Sequence, residues 1–291
     1  MNKVLVIIGP TASGKTALAI QKAQELNGEI INYDRLQVYK DLPILTAYPT
    51  LEEIHSAPHR LFGYLGHNDN ISVVDWAELA ANDIREVWNN GKLPILVGGT
   101  GMYIEVLIHG ISPLPNVPNE IRNQAIELAN NNFNKMCNDV HTFEPKLINI
   151  IKPENHHQMM RAWEVQNVSN KSILHFYSLP KQKFINADFE FININMDREI
   201  LYERINKRFD IMIKNGAIEE VEALIKKFDL INTSDYKYLF KKYHIFKAIG
   251  AKEIIQYLNN KISYNTMIEV SKQYSRNYAK RQITWFKYHC K

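Results

Sequence analysis

Cysteine is nearly absent from this chain: there are two in 291 residues, Cys137 and Cys290, more than half the sequence apart. Two such distant thiols build neither a disulfide framework nor a zinc cluster, and they fit a reducing compartment, so the expected location is the cytoplasm. Long hydrophobic runs are missing as well. The opening run, Val4 to Ile8, holds five apolar residues. That is too few for a secretory segment, and no stretch approaches the roughly 18 residues of a membrane span. Membrane and secreted classes are therefore excluded. His55, His59, His141 and the pair His156-His157 show no metal-ligand spacing. Internal repeats and low-complexity tracts are also lacking.

What is present is a chain with 45% hydrophobic and 23% charged residues, long enough to bury a large core as one large domain or two modest ones. The formal net charge of +4 hides an asymmetry. Residues 1–197 hold 16 Lys+Arg against 21 Asp+Glu, a net of −5, whereas residues 198–291 hold 19 against 10, a net of +9. After Glu269 no acidic residue follows, while Lys272, Arg276, Lys280, Arg281, Lys287 and Lys291 do. Such a run is either a solvated helix face or a surface for a polyanion.

Hydrophobic periodicity outlines the fold. Val4–Ile8 and Leu93–Val97 are continuous apolar runs closed by glycine, the pattern of strands buried on both faces, and Glu29–Asn32 is a shorter third. Helical patterns over 16–26, 74–89 and from Met102 alternate with them, which predicts a parallel α/β sheet. Three prolines within Pro113–Pro118 break the rhythm, and 120–183 reads as helical with no convincing strand. A strand over 189–194 and helices over 198–214 and 217–227 then resume the core. The expected division is a catalytic core of 1–113 plus 188–291 and an inserted helical subdomain of 114–187.

The segment Gly9-Pro10-Thr11-Ala12-Ser13-Gly14-Lys15-Thr16 matches GxxxxGK(S/T) in full, between a buried strand and a helix. Its backbone amides and helix N-terminus suit a diphosphate or triphosphate, Lys15 would reach the terminal phosphates, and the Thr16 hydroxyl would ligate Mg²⁺. In a parallel sheet the loops after Ile8, Asn32 and Val97 open onto one crevice. They bring Asp34-Arg35-Leu36-Gln37 and Gly98-Gly99-Thr100-Gly101 beside the phosphates. From the residues alone, Asp34 is a metal-side ligand, a general base or a helix N-cap. Thr100 is a phosphate contact or a helix start.

Several segments, GPTASGKTALA, DRLQVYKDLPILTAYPT, APHRLFGYL, LPILVGGTGMYIEVLIHGISPLP, RAWEV, AIGAKEIIQYL and YAKRQITWFK, occur in consistent order from Val4 to Lys287. Together they resemble the bacterial tRNA dimethylallyltransferase family, also called tRNA isopentenyltransferases. The resemblance implies a P-loop NTPase-like parallel sheet flanked by helices, with an inserted helical subdomain and a helical, basic C-terminal region. It implies transfer of a dimethylallyl group from its diphosphate to the exocyclic amine of the adenosine 3′ of the anticodon, in tRNAs reading U-starting codons. Mg²⁺ would assist, and a monomer without membrane attachment is expected.

By resemblance Asp34 is the general base and Thr100 lies where the two substrates meet. Positions facing the tRNA anticodon stem-loop map onto Asp34, Arg35, Leu36, Gln37, Arg122, His157, Gln158, Arg161, Lys247, Lys252, Lys280, Arg281 and Gln282. The target adenine would be flipped into a pocket, with helical insert and C-terminal helices gripping RNA phosphates on either side. At 100° per residue Lys272, Arg276, Lys280 and Lys287 fall within about 80° of arc, opposite Tyr274, Tyr278 and Trp285, which places the aromatics on the core and the cations outward. Departures from the family stand at Arg35, Tyr48, Gly63, Gln158, Trp163 and Ala251. Arg204 and Arg208, four apart on one helix, are either structural cations or diphosphate contacts. The competing readings are a small-molecule or nucleotide kinase, which would bind ATP through the same loop, and a non-enzymatic RNA-binding protein.

Overall fold

The computed structural model describes residues 2–152, 154–228, 240 and 242–289. Cys290 and Lys291, the latter the end of the expected basic run, lie outside the described residues. The chain divides into two compact units, one of 1–108 with 184–291 and one of 109–183.

The first unit is built on a five-stranded, all-parallel sheet in the order β3-β2-β4-β1-β5. Its strands are β1 (Lys3–Ile8), β2 (Gly28–Asn32), β3 (His59–Arg60), β4 (Leu93–Val97) and β5 (Asp188–Asn193). Parallel pairing demands cover on both faces. Val4, Val6, Ile7, Ile30, Ile31, Ile95 and Leu96 accordingly have no exposed surface. Burying a side chain of that size contributes about 1.5–3 kcal/mol each relative to leaving it in water. Helices α1 (Lys15–Leu26), α2 (Leu51–Ser56), α3 (Val73–Asn89) and α4 (Gly101–His109) connect the strands. The starts of α2 and α3 are set by capping boxes, Thr50 with Glu53 and Ser72 with Asp75. Trp76 of α3 is fully buried, donates to the Asn32 carbonyl at 3.1 Å and stacks on Tyr103 at 4.5 Å.

Because β1, β2 and β4 are neighbours and parallel, the loops that follow them leave the same edge of the sheet. The two-residue β3 on the flank of β2 was not expected. It is too short to show a period, and it is pinned by Arg60, whose guanidinium meets the buried Glu29 carboxylate at 2.6 Å and Asp83 of α3 at 3.2 Å.

The second unit holds α5 (Asn119–Asn131), α6 (Phe133–Phe143), α7 (His156–Ser169) and α8 (Ile173–Tyr177). They close on Met136, Val140, Leu147, Met159, Ala162, Val165 and Ile173. An antiparallel bridge between Ile111 and Gln182 ties its two ends, so the proline-rich run 112–118 lies inside the unit. Back in the first unit, α9 (Arg198–Lys214), α10 (Ala217–Lys227), α11 (Ala251–Leu258) and α12 (Tyr264–His289) form a helical layer. Among the described residues no helix is long and apolar enough to cross a membrane.

Candidate active site

The phosphate loop begins where β1 ends inside the core. Gly14 adopts φ 95° at the N-cap of α1 and its Cβ position meets nothing within 4 Å. Glycine is needed there for its left-handed backbone and not for space. Lys15 Nζ folds over the loop and donates to the carbonyls of Gly9 and Pro10 at 2.9 and 2.8 Å. Burial, reinforced by the nearby Arg208 charge and opposed by Asp34, lowers its pKa to about 7. Arg208, from α9, donates to the Thr11 hydroxyl and is likewise held below its ordinary pKa by burial.

Neither cation forms an ion pair among the described residues, and the Ser13 hydroxyl is buried without a hydrogen-bond partner there. Desolvated cations and an unsatisfied donor around one loop leave a site that is satisfied by a bound anion. They face a cavity of about 400 Å³ lined by Thr11 to Ala17, Asp34, Gln37, Glu53, Arg204 and Arg208.

A second cavity of about 400 Å³ shares Thr11, Asp34, Gly99, Arg208, Tyr278 and Gln282 with the first. It extends between Leu45, Phe209, Met212, Ile249, Trp285 and Phe286, an apolar wall, and Arg35, Lys247 and Arg281, a cationic one. The loop after β2 is fixed by the fully buried Asn32, which accepts the Asp34 N–H at 2.7 Å and donates to the carbonyls of Asp34 and Leu61. Asp34 does not cap a helix. Its Oδ1 accepts the Leu36 N–H at 2.9 Å in a local turn, and Oδ2 lies against Gly99, whose Cβ would stand 2.9 Å from it. The Thr100 hydroxyl accepts the Arg35 N–H at 3.1 Å and neighbours Tyr278. Burial pushes the Tyr278 and Tyr103 hydroxyls up, the latter to about 12, so both are neutral donors at neutral pH.

Of the residues expected at RNA, Arg35, Leu36, Lys247, Arg281 and Gln282 line the second cavity, and Gln37 lines the first. Lys247 is held below its usual pKa by burial and by the charge of Arg35. Lys252 on α11 and Lys280 and Arg281 on α12 are exposed. In the helical unit Arg122, His157 and Gln158 are exposed, whereas Arg161 is half-buried, paired with Glu164 at 3.1 Å and donating to the Pro115 carbonyl at 3.4 Å.

Gln282, expected at RNA, is buried, and its amide accepts the Thr11 N–H (2.8 Å) and donates to Gly99 O (2.9 Å). The helical-wheel reading of α12 needs correction in part: Lys280 and Lys287 are exposed and Tyr278 and Trp285 line the second cavity, but the other named positions differ. Lys272 bridges to Asp210 at 2.7 Å and Arg276 donates to Asn206 at 2.6 Å, both on α9, while Tyr274 is 46% exposed. The packed stripe is Ser271, Ser275, Ala279, Gln282 and Phe286.

The helix spacing of Arg204 and Arg208 left their role open; both line the cavity beside Thr11 to Ala17. Sequence reasoning missed Glu220, whose carboxylate accepts the N–H groups of Ile44 and Leu45 at 2.7 and 2.9 Å. Nothing local signals a partner 175 residues away.

Among the described residues no three His, Cys, Asp or Glu side chains gather as a metal-binding group. The Thr16 hydroxyl, with Glu53 on the same cavity, does offer hard oxygen ligands.

Over residues 37–289 the chain matches the sequence model of a family described as IPP transferase. It is 39% identical over 287 residues to the tRNA dimethylallyltransferase of Ehrlichia ruminantium, covering 99% of this chain and 92% of that one. It resembles the crystal structure of a tRNA delta(2)-isopentenylpyrophosphate transferase from Staphylococcus epidermidis, with 34% identity, a TM-score of 0.68, and coverage of 100% of this chain and 92% of that one. A eukaryotic dimethylallyltransferase captured in crystallographic snapshots acting on tRNA gives a TM-score of 0.85 at 26% identity, covering 98% of this chain and 70% of that chain.

Proposed function

The chain belongs to the IPP transferase family, and we propose that it transfers a dimethylallyl group from dimethylallyl diphosphate to the exocyclic amine of the adenosine 3′ of the anticodon, in tRNAs reading U-starting codons. The observation that carries this reading is the pair of adjoining cavities. One is lined by the two desolvated cations Lys15 and Arg208, the other is apolar and cationic, and Asp34 stands on the wall they share. A kinase would use the same loop, but family membership does not favour it, and it gives the basic α12 no partner.

The chemistry follows from the residues. The amine nitrogen forms its bond to the allylic carbon as the carbon–oxygen bond to diphosphate breaks. Negative charge grows on the departing oxygens, where Lys15, Arg208, the Ser13 hydroxyl and the loop amides stabilise it. Adenine's amine is a weak nucleophile, because its lone pair is delocalised into the ring. Asp34 Oδ2 accepts its proton, and Thr100 and Tyr278 present hydroxyls beside it. The apolar wall of Leu45, Phe209 and Met212 shelters the prenyl group from water, and Arg35, Lys247 and Arg281 face the phosphates flanking the flipped nucleotide. Thr16, with Glu53 on the same cavity, would hold Mg²⁺, which when bound would neutralise diphosphate charge.

The test is incubation with dimethylallyl diphosphate, Mg²⁺ and an unmodified tRNA reading a U-starting codon, with nucleoside analysis of the product. Prenylated adenosine is expected. Its absence, with phosphate transfer from ATP to a small acceptor, overturns the reading in favour of the kinase.

A further inference from the structure

The reaction as written makes no use of Gln282, yet both polar atoms of this side chain are engaged between the two loops of the site. It is 4% exposed. Its Oε1 accepts the Thr11 N–H at 2.8 Å and its Nε2 donates to the Gly99 carbonyl at 2.9 Å. Tyr278, one turn earlier on α12, donates to the same carbonyl at 3.0 Å. The two loops joined in this way carry opposite halves of the chemistry. Thr11 belongs to the loop that holds the leaving group. Gly99 precedes Thr100 and lies against the base: a Cβ there would stand 2.5 Å from Gln282 Nε2 and 2.9 Å from Asp34 Oδ2.

Resting on the reaction above, we propose that Gln282 is a positioning residue that sets the spacing between the diphosphate loop and the base-bearing wall. An amide suits the task, since its tip carries a donor and an acceptor and can tie an N–H on one loop to a C=O on the other. With both partners made and water excluded, it holds one orientation. Displacement at carbon requires the nitrogen, the carbon and the leaving oxygen in line, and a misplacement of about 1 Å costs on the order of 100-fold in rate. The same bond commits the Thr11 amide to Gln282, so the diphosphate is met by the loop amides from Ala12 onward. Gln282 also neighbours the exposed Lys280 and Arg281 on α12. One helix therefore bears the RNA-facing cations on its outside and the spacer on its inside.

Two variants separate this role from plain stability. Gln282→Leu keeps the volume and loses both hydrogen bonds. Gln282→Glu keeps the acceptor for Thr11, loses the donor to Gly99 and sets a second carboxylate beside Asp34. Single-turnover prenylation of an anticodon stem-loop RNA is measured over pH, alongside thermal midpoints and the separate binding of RNA and of inorganic diphosphate. For Gln282→Leu the expected result is a 10–100-fold slower single turnover, with both binding constants within about threefold of wild type.

For Gln282→Glu the acidic limb of the pH–rate profile is expected to move upward, because neighbouring carboxylates resist joint ionisation. A single-turnover rate in Gln282→Leu within about threefold of wild type, or a loss matched by an equal loss of binding, overturns the role. Should Gln282→Leu not fold, a Gln282→Glu single-turnover rate at its own pH optimum within about threefold of wild type overturns it alone. Wild-type protein that binds RNA and diphosphate but forms no prenyladenosine removes the reaction itself, and the spacer with it.

Discussion

Lys15 carries a charge that its surroundings oppose. Burial and the Arg208 guanidinium pull its pKa down to about 7, and Asp34 only partly offsets them. In the ligand-free protein the amine therefore releases its proton as pH rises through about 7. A bound diphosphate favours the protonated form and returns it. Calorimetry of inorganic diphosphate binding at pH 8, in buffers of different ionisation enthalpy, should show uptake of up to about one proton by wild type, and less in Lys15→Arg, whose side chain stays charged. Equal uptake in both proteins would refute the linkage.

Asp34 is the second residue on which the proposed chemistry turns. One of its oxygens is occupied by the Leu36 amide and the other faces the shared wall. Asp34→Asn keeps the turn and removes the proton acceptor, so turnover should fall about 10²–10⁴-fold while stem-loop binding in gel-shift titrations stays near wild type. Near-normal turnover would remove the base assignment.

At the scale of elements, the wall between the cavities depends on a turn-rich segment, 42–47, held from two sides. Gln37 donates to the carbonyls of Thr46 and Ala47 at 3.2 and 2.7 Å, and Glu220 of α10 accepts from Ile44 and Leu45. Removing the carboxylate leaves two amide donors without their acceptor. Glu220→Ala should thus cost about 1–3 kcal/mol in urea unfolding and raise KM for the prenyl donor, whereas Glu220→Gln, with one acceptor left, should lose less.

Elements of this kind separate what the sequence discloses from what it conceals. The phosphate loop, β1, β4 and α9 were legible because an unbroken apolar run or a full-length amphipathic helix states its own surroundings. The segment 42–47 was not, since its anchor lies in α10. Helix α12 was misread in part for a related reason: it packs with small and polar residues, Ser271, Ser275 and Ala279, on the side it shares with α9. A hydrophobicity pattern looks instead to Tyr274, which is 46% exposed. Its outward cations are fewer than the run suggests, with Lys280, Arg281 and Lys287 exposed and Lys272 paired on α9. Neutralising Lys280 and Arg281 together should lower the slope of log Kd for stem-loop RNA against log salt by roughly 0.7 per lost phosphate contact, and Lys272→Ala should lower it far less.

For the whole molecule, the division at 198 into a −5 portion and a +9 portion says where positive charge concentrates along the chain, not where the groups of the candidate site end. The site draws Lys15, Asp34 and Thr100 from the acidic portion, and Arg208, Tyr278 and Gln282 from the basic one. All six belong to the unit of 1–108 with 184–291, and the helical unit of 109–183 closes its own core around Met136, Met159 and Ile173. Two units with separate cores need not unfold together.

A ligand held by one of them stabilises that one alone, by about 2.7 kcal/mol at a hundredfold excess over its Kd. Scanning calorimetry with and without saturating inorganic diphosphate should then resolve two transitions. One should rise by several degrees, a few degrees per kcal/mol being the scale for units of this size, while the other stays in place. Lys15→Met should abolish the shift of the first transition without moving the second. A single transition that rises as a whole would show instead that the two units unfold as one cooperative body, and that the insert's stability is tied to the occupancy of the phosphate loop.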